Sequence, residues 1–452
     1  MNIRSIRPNK YRPLFAKPFF YFLLFSTLLC SQQEFLRSQD TAFARKVIDT
    51  LSSPTMAGRG YSSNGHIKAA RFLAESYRKL GLVPLSGQNY FQYFEVSANT
   101  FPSRLELRIN GKKLDAAYDF QPNPCSPSYS GNANVVFLKK RWLKSRKKLS
   151  KVLSDPRFSG RFLVLDKSKN WTSKEEYKDL LSFIETAFKE SESVHFSGLI
   201  VLVPNTLNWH IASETCRRPI IQIIKDSLPR EKIKELSLLI EAKFQSKLRT
   251  QNVCGQIKGS KYPDRYLVIS AHYDHLGQMG KEAYIPGAND DASGIAMMLD
   301  LARYFKDHRP VFSVAFLAFG AEELGLIGSH YFTEHPLLPL DSICFMINLD
   351  IVGTGGEGIA VVNAKVFDKA FEELKSLNAQ HKYFPRIKAR GKAANSDHYF
   401  FTEKGVPAFF IYTMGGISAY HNVWDRAETL PLTRYEALFR LLVDFSDSIC
   451  RP

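Results

Sequence analysis

Cysteine is scarce and scattered. Six occur in 452 residues: Cys30, Cys125, Cys216, Cys254, Cys344 and Cys450. No two are close enough for a zinc knuckle or a dithiol redox motif, so thiolate chemistry does not organise this chain. Long apolar runs are also lacking. The run from Phe19 to Cys30 is shorter than the ~20 residues a spanning helix needs. The Gly-rich stretch Gly353-Thr-Gly-Gly-Glu-Gly358 lacks the spacing of a phosphate-binding loop and reads as a turn between strands. Acidic residues are missing from the first seventeen positions, which hold Arg4, Arg7, Lys10, Arg12 and Lys17. Those five contribute to the formal net charge of +17. Much of the remainder lies in one run around Trp142: Lys139, Lys140, Arg141, Lys144, Arg146, Lys147, Lys148 and Lys151. The overall charge is therefore weak evidence for a nucleic-acid partner, and none is expected. The run from 139 to 151 reads as a solvated helix or loop face, with an acidic-surface partner as the alternative.

A basic segment followed by a short apolar one predicts a secretory signal peptide over 1–30. An uncleaved membrane anchor is the alternative. So is lipid attachment at Cys30, although Leu29 is not the small residue that such a signal uses. The protein is expected to be exported: periplasmic, extracellular or membrane-anchored. Export permits disulfides. Cys125–Cys216 is one conceivable pair, and buried free thiols are the bland alternative. Asn170-Trp171-Thr172 is a glycosylation sequon, which matters only in a glycosylating host.

What is abundant is metal-ligand chemistry at the ends of apolar runs. Tyr266 to Ala271, Val311 to Phe319 and Ile343 to Leu349 read as short buried strands. His272 and Asp274 stand just past the first, Glu322 and Glu323 just past the second, and Asp350 at the tip of the third. Asp290 and Asp291 lie in Pro-Gly-Ala-Asn-Asp-Asp-Ala-Ser-Gly, ahead of a helix whose apolar face carries Ile295, Met298, Leu299, Ala302 and Phe305. Strand, helix, strand in this rhythm predicts a parallel sheet with ligands beyond the strands' carboxyl ends. Each block alone has an ordinary reading: a surface turn, a helix cap or a solvated Glu-Glu pair. Together they have the residue types that hold zinc, imidazole nitrogen and carboxylate oxygen.

These blocks resemble the dinuclear-zinc aminopeptidases of metallopeptidase family 28, from about Ser52 to the C-terminus with a divergent middle. The resemblance implies two zinc ions per chain. It implies His272 and Asp350 as ligands of one ion, Asp290 as the bridge, and Glu323 and His421 as ligands of the other. His421 stands in Ala-Tyr-His-Asn-Val-Trp-Asp. It further implies Glu322 as general base, Asp274 as the carboxylate behind His272, and Tyr420 as a stabiliser of the developing oxyanion. Asp397 and His398, in the Ser-Asp-His block after Ala393-Ala-Asn, would support the site without ligating metal. The implied activity is a zinc-dependent exopeptidase that hydrolyses N-terminal residues from peptides. A carboxypeptidase is an alternative, with Arg390 and Lys392 as candidate carboxylate binders. A single-zinc glutaminyl cyclase and an inactive receptor-like protein are further alternatives, and the complete ligand set argues against both.

The expected fold is α/β, a mostly parallel or mixed central sheet flanked by helices, with a smaller α+β or β insert. The expected organisation is 31–100 as the N-terminal part of the catalytic domain, 101–250 as a protease-associated-like insert, and 251–452 as the zinc peptidase domain. In the N-terminal part, Ser62, Ser63 or Asn64 caps a helix carrying Ile67, Ala70, Leu73, Tyr77 and Leu80, with Gly81 as its stop. His66 is read as an exposed residue of that helix. In the insert, Asn110-Gly111 predicts a tight hairpin between Leu105–Ile109 and Lys112–Leu114. Neither the preferred N-terminal side chain nor the oligomeric state is written in the sequence.

Overall fold

The computed structural model describes residues 41–167, 175–229 and 233–450. The segment 1–30 and the sequon at Asn170 lie outside the described residues. Among the described residues no helix is long and apolar enough to cross a membrane.

The fold is mixed α/β. The main sheet uses β1 (Phe91–Thr100), β2 (Lys243–Ile257), β3 (Tyr262–His272), β4 (Phe312–Phe319), β5 (Ile343–Leu349), β6 (Gly358–Val362) and β7 (Ala408–Met414). At its centre β4, β3, β5 and β7 run side by side and parallel. β2 closes one flank against β4 and β6 closes the other against β7, both antiparallel. Short strands at Val83–Pro84 and Ile387–Ala389 finish the edges, and β1 pairs along β2.

Helices cover both faces, so the central strands read as continuous apolar runs with no polar face. On one face Leu267, Ile269, Val314, Phe316, Phe345 and Ile347 pack beneath α1 (Thr41–Leu51), α2 (Gly65–Leu80), α3 (Ser293–Asp307), α4 (Asp368–His381) and α5 (Tyr435–Ile449). On the other, Val268, Ala315, Leu317, Phe319 and Met346 meet Phe332, Leu338 and Phe401. The face predicted for α3 is buried. So are Met297 and Leu301, which lie off that face. The reason is that α1 and α5 enclose the helix from the far side.

Two local expectations are corrected. No side chain of Ser62, Ser63 or Asn64 caps α2. Instead the Gly60 carbonyl accepts the His66 N–H at 2.9 Å. His66 itself is buried, 2 % exposed, not a surface residue. The turn Pro54–Arg59 folds back over the start of the helix, and the His66 ring rests against Tyr61 with centroids 4.9 Å apart. Gly81 ends α2 in the left-handed region, φ +74°, as read.

A second, eight-stranded sheet is built from residues between Leu105 and Ile240. Its centre is parallel: Tyr129–Phe137, Arg161–Asp166, Gly198–Val203 and Ile220–Ile224. The hairpin at Asn110-Gly111 is present, with φ +48° and +83° at the two turn residues as a type I′ turn requires. The chain leaves the main sheet at Thr100 and returns at Lys243, and these two residues are directly paired. The return strand β2 therefore begins within the stretch 101–250. In the basic run, Leu149 and Leu153 are buried while the lysines and arginines face out, the pattern of a solvated helix face.

Cys125 is bonded to Cys216 and Cys344 to Cys450, while Cys254 is a buried free thiol. The second bond ties the start of β5 to the end of α5 across 106 residues of chain. Such a link restricts the unfolded chain, so Cys450→Ser is expected to lose about 2–5 kcal/mol of stability. A urea melt checks this, and an unchanged midpoint would show that the bond adds nothing to the fold.

Candidate metal centre

The parallel centre of the sheet aims its carboxyl ends at one place. β3 ends on His272, and Asp274 and His275 follow. Glu322 and Glu323 lie in the turn after β4, Asp350 comes directly after β5, and His421 follows in the loop after β7. Asp290 comes from the turn Ala288–Ala292 that leads into α3. All five expected ligand residues meet there.

Asp290 sits between two imidazoles. Its Oδ1 is 3.2 Å from His272 Nε2, and its Oδ2 is 3.1 Å from His421 Nε2. Asp350 Oδ1 adds to the first half, 3.6 Å from His272 Nε2. Glu323 Oε2 adds to the second, 3.3 Å from His421 Nε2. A third imidazole, His275, was not read as a site residue. Its Nδ1 lies 2.8 Å from Glu323 Oε1 and 3.9 Å from Asp290 Oδ1. The second histidine of His-Tyr-Asp-His was the available signal.

The supporting groups are backbone and side chain alike. His272 Nδ1 lies 3.2 Å from the Asp274 carbonyl, while the Asp274 carboxylate is 3.9 Å away. That carboxylate instead accepts the Glu322 N–H at 3.1 Å, fixing the turn that carries both glutamates. Asp350 Oδ2 accepts from Ser396 Oγ (2.9 Å), Ser396 accepts from Asn348 Nδ2 (2.8 Å), and Asn348 accepts from Ser270 Oγ (2.6 Å). Asp425 accepts the N–H groups of Asn289 and Asp290 at 2.8 and 3.0 Å. Asp397 and His398 are fully buried below this layer. Tyr420 is 44 % exposed and stacks on the His421 ring, centroids 3.8 Å apart.

Arg59 gives the least expected contribution. In the sequence it is one residue of a turn-like Ala-Gly-Arg-Gly. In the fold it is fully buried and every one of its bonds goes to a backbone carbonyl. Nε donates to Tyr273 (2.9 Å), Nη1 to Leu51 (3.0 Å) and Pro286 (2.8 Å), Nη2 to Gly287 (2.8 Å) and Asp290 (2.9 Å). It thus ties α1, the end of β3 and the Asp290 turn into one unit.

The electrostatics call for cations. Burial, then Asp290, push the Glu323 carboxyl up to about 8. Burial raises Glu322 well above the usual carboxylate range, and Glu323, Asp397 and Asp350 add to this against His272. Burial opposes charge on His421, yet Glu323 and Asp290 carry it up to about 9. A metal-free site must therefore collect protons to balance its carboxylates. Buried Asp350 Oδ1, Asp274 Oδ2, Asp291 Oδ2 and His275 Nε2 have no hydrogen-bond partner among the described residues. Imidazole and carboxylate donors so crowded and incompletely satisfied fit divalent metal of the zinc type. Two ligand groups converge on Asp290: His272 with Asp350, and Glu323 with His275. The candidate carboxylate binders Arg390 and Lys392 are engaged elsewhere: Arg390 donates to the Tyr412 hydroxyl at 3.0 Å, and Lys392 pairs with Glu403.

Comparison with known proteins now has a geometry to meet. Residues 252–446 match the sequence model of peptidase family M28. A probable zinc metalloprotease of Pyricularia oryzae is 38% identical over 123 residues, 26% of this chain and 24% of its own length. Aminopeptidase YwaD of Bacillus subtilis is 31% identical over 240 residues, 50% of each chain. The chain thus spans about a quarter to a half of the length of these curated relatives. A zinc aminopeptidase from Bacillus subtilis superposes with a TM-score of 0.64 at 22% identity, covering 89% of this chain and 94% of its own. A peptidase M28 precursor from Shewanella amazonensis gives 0.65 at 16% identity, covering 93% and 97%. Both share the fold described above.

Replacing Arg59 by Lys keeps the charge but supplies fewer donors, leaving buried carbonyls bare. Each stranded group costs about 1–3 kcal/mol. Arg59→Lys is expected to lower stability by at least about 2 kcal/mol in a denaturant titration. A loss below 0.5 kcal/mol, roughly the scatter of surface substitutions, would show that Arg59 does not hold the site together.

Proposed function

We propose that this chain, whose residues 252–446 match the sequence model of peptidase family M28, is a zinc-dependent exopeptidase that removes N-terminal residues from peptides. The observation that carries this reading is Asp290, with one carboxylate oxygen facing His272 and the other facing His421. His272, Asp290 and Asp350 would hold one zinc ion, and Asp290, Glu323 and His421 the other. Such a pair supplies Lewis-acid polarisation of a carbonyl and activation of water.

The chain's own groups do the rest. Glu322 is adjacent in sequence to a ligand but, among the described residues, makes none of the imidazole contacts that mark Glu323. It accepts the proton of the attacking water and returns it to the leaving amine. The Asp274 carboxylate, bonded to the Glu322 N–H, fixes where that glutamate starts. Tyr420 keeps its phenolic proton, since burial and then Asp290 and Glu323 disfavour the phenolate. It can donate that proton as a hydrogen bond to the oxygen on which charge develops. The surplus of carboxylates attracts the free ammonium of a substrate N-terminus, with Asp350 supplying part of that field. YwaD and the superposed Bacillus subtilis enzyme are named aminopeptidases, which supports the same direction of attack. The two disulfide pairs support a site of action outside the cytoplasm, periplasmic, extracellular or membrane-anchored.

Glu322→Gln is expected to keep two zinc ions per chain yet lose turnover of an amino-acid amide by about 10²–10⁴-fold. Glu323→Gln should lose zinc as well. Elemental analysis and initial rates distinguish the two, and near-normal turnover in fully loaded Glu322→Gln would show that another group is the base. Peptides with a free N-terminus should be cleaved and their acetylated forms spared. Equal rates on both would sink the aminopeptidase reading.

A further inference from the structure

His421 Nε2 faces Asp290 and Glu323, so its other ring nitrogen, Nδ1, points away from the ligand cluster. An imidazole that gives its Nε2 lone pair to a metal carries its proton on Nδ1, and that N–H needs an acceptor to fix the ring. In this chain the neighbour is neither carboxylate nor carbonyl. It is His210 Nδ1, at 3.3 Å, with the two rings edge to face and 5.0 Å between centroids. His421 also sits at φ +54°, in the left-handed region that few non-glycine residues adopt.

His210 comes from the second sheet, on the loop between Gly198–Val203 and Ile220–Ile224. That loop is clamped on both sides of it. The Trp209 N–H donates to the His421 carbonyl at 2.7 Å, and the Trp209 indole N–H donates to the Leu276 carbonyl at 3.2 Å. Gln121 donates to the Asn208 carbonyl at 2.9 Å, and the Asn99 N–H to the Ala212 carbonyl at 2.8 Å. The loop therefore grips His421 twice, once at its backbone and once at its ring.

We propose that His210 is a positioning residue that accepts the Nδ1–H of His421, setting its tautomer and aiming Nε2 at the metal centre. The second sheet thereby completes the site instead of only walling it. In this arrangement His210 carries its own proton on Nε2, and no proton changes hands. The proposal rests on the reading of His421 as a metal ligand.

The test uses the full chain and zinc alone. Zinc release to a competing chelator is measured for wild type, His210→Ala and His210→Asn, with a thermal melt of each metal-free chain to confirm folding. Asn places an amide oxygen near the position of Nδ1 and so keeps an acceptor. His210→Ala is expected to hold one of its two ions about 10–100-fold more weakly, with the other unchanged and the metal-free melt unshifted. His210→Asn should recover most of that loss. If His210→Ala holds both ions as tightly as wild type, or if His210→Asn is as impaired as His210→Ala, the proposal is overturned. A wild-type chain that takes up fewer than two ions would instead overturn the dinuclear reading, and this proposal with it.

Discussion

The constraint behind this structure is the gathering of like charges out of water. Asp274, Asp290, Asp291 and Asp350 are buried together with the inward side chain of Glu323. Carboxylates so close cannot all ionise unless cations or hydrogen-bond donors compensate them. Much of the surrounding architecture is compensation. Asp291 Oδ1 accepts the N–H of Gly294 at the start of α3 and that of Ile351 beyond β5. Asp425 takes two further N–H groups of the Asp290 turn, and Arg59 spreads a positive charge beneath it. What these donors leave unpartnered among the described residues includes Asp350 Oδ1, Asp274 Oδ2 and Asp291 Oδ2, and divalent metal is the compensation that the remaining charge calls for.

The parallel sheet is what makes such gathering affordable. Four strands buried on both faces end at one edge, so each can deliver a polar residue without exposing its own backbone. The helices hold the strands. The turns only have to aim side chains over a short distance, and they are braced by the bonds just described. Precision at the site is thus inherited from packing well below it.

The strands, their direction and the ligand-bearing ends were legible because they rest on local signals: apolar runs, the residue just past each run, and Gly or Asn-Gly at turns. The Asn110-Gly111 hairpin and the Gly81 stop were readable for the same reason. Arg59 was not, since its partners are backbone carbonyls of distant residues, and a carbonyl has no identity in a sequence. His66 was misread because helical periodicity cannot know that a preceding turn folds back over the first turn of α2. His275 stood in plain view in His-Tyr-Asp-His. Spacing alone, however, cannot say which of two histidines in one turn faces the cluster. Asp425 and His210 reach the site from other segments, and only tertiary contact shows their use.

The junction between the two sheets explains how a loop so remote in sequence can act with accuracy. Departure and return occur on paired strands, Thr100 opposite Lys243, so no Gly-rich or Pro-rich linker intervenes. β2 then continues into its pairing with β4, the strand that precedes Glu322 and Glu323. The reference frame of the second sheet is thus hydrogen-bonded, residue by residue, to the frame that carries the general-base candidate. A bulge between Gln245 and Leu248 bends this connection without breaking it. Trp209 adds attachments beside that junction, its ring edge to face on Phe101 and its N–H groups on the carbonyls of Leu276 beyond β3 and of His421. Bonds to three different segments constrain rotation as well as translation, which a single strand pair does not. The loop bearing His210 is therefore held on both sides of that residue, by Trp209 and by Ala212.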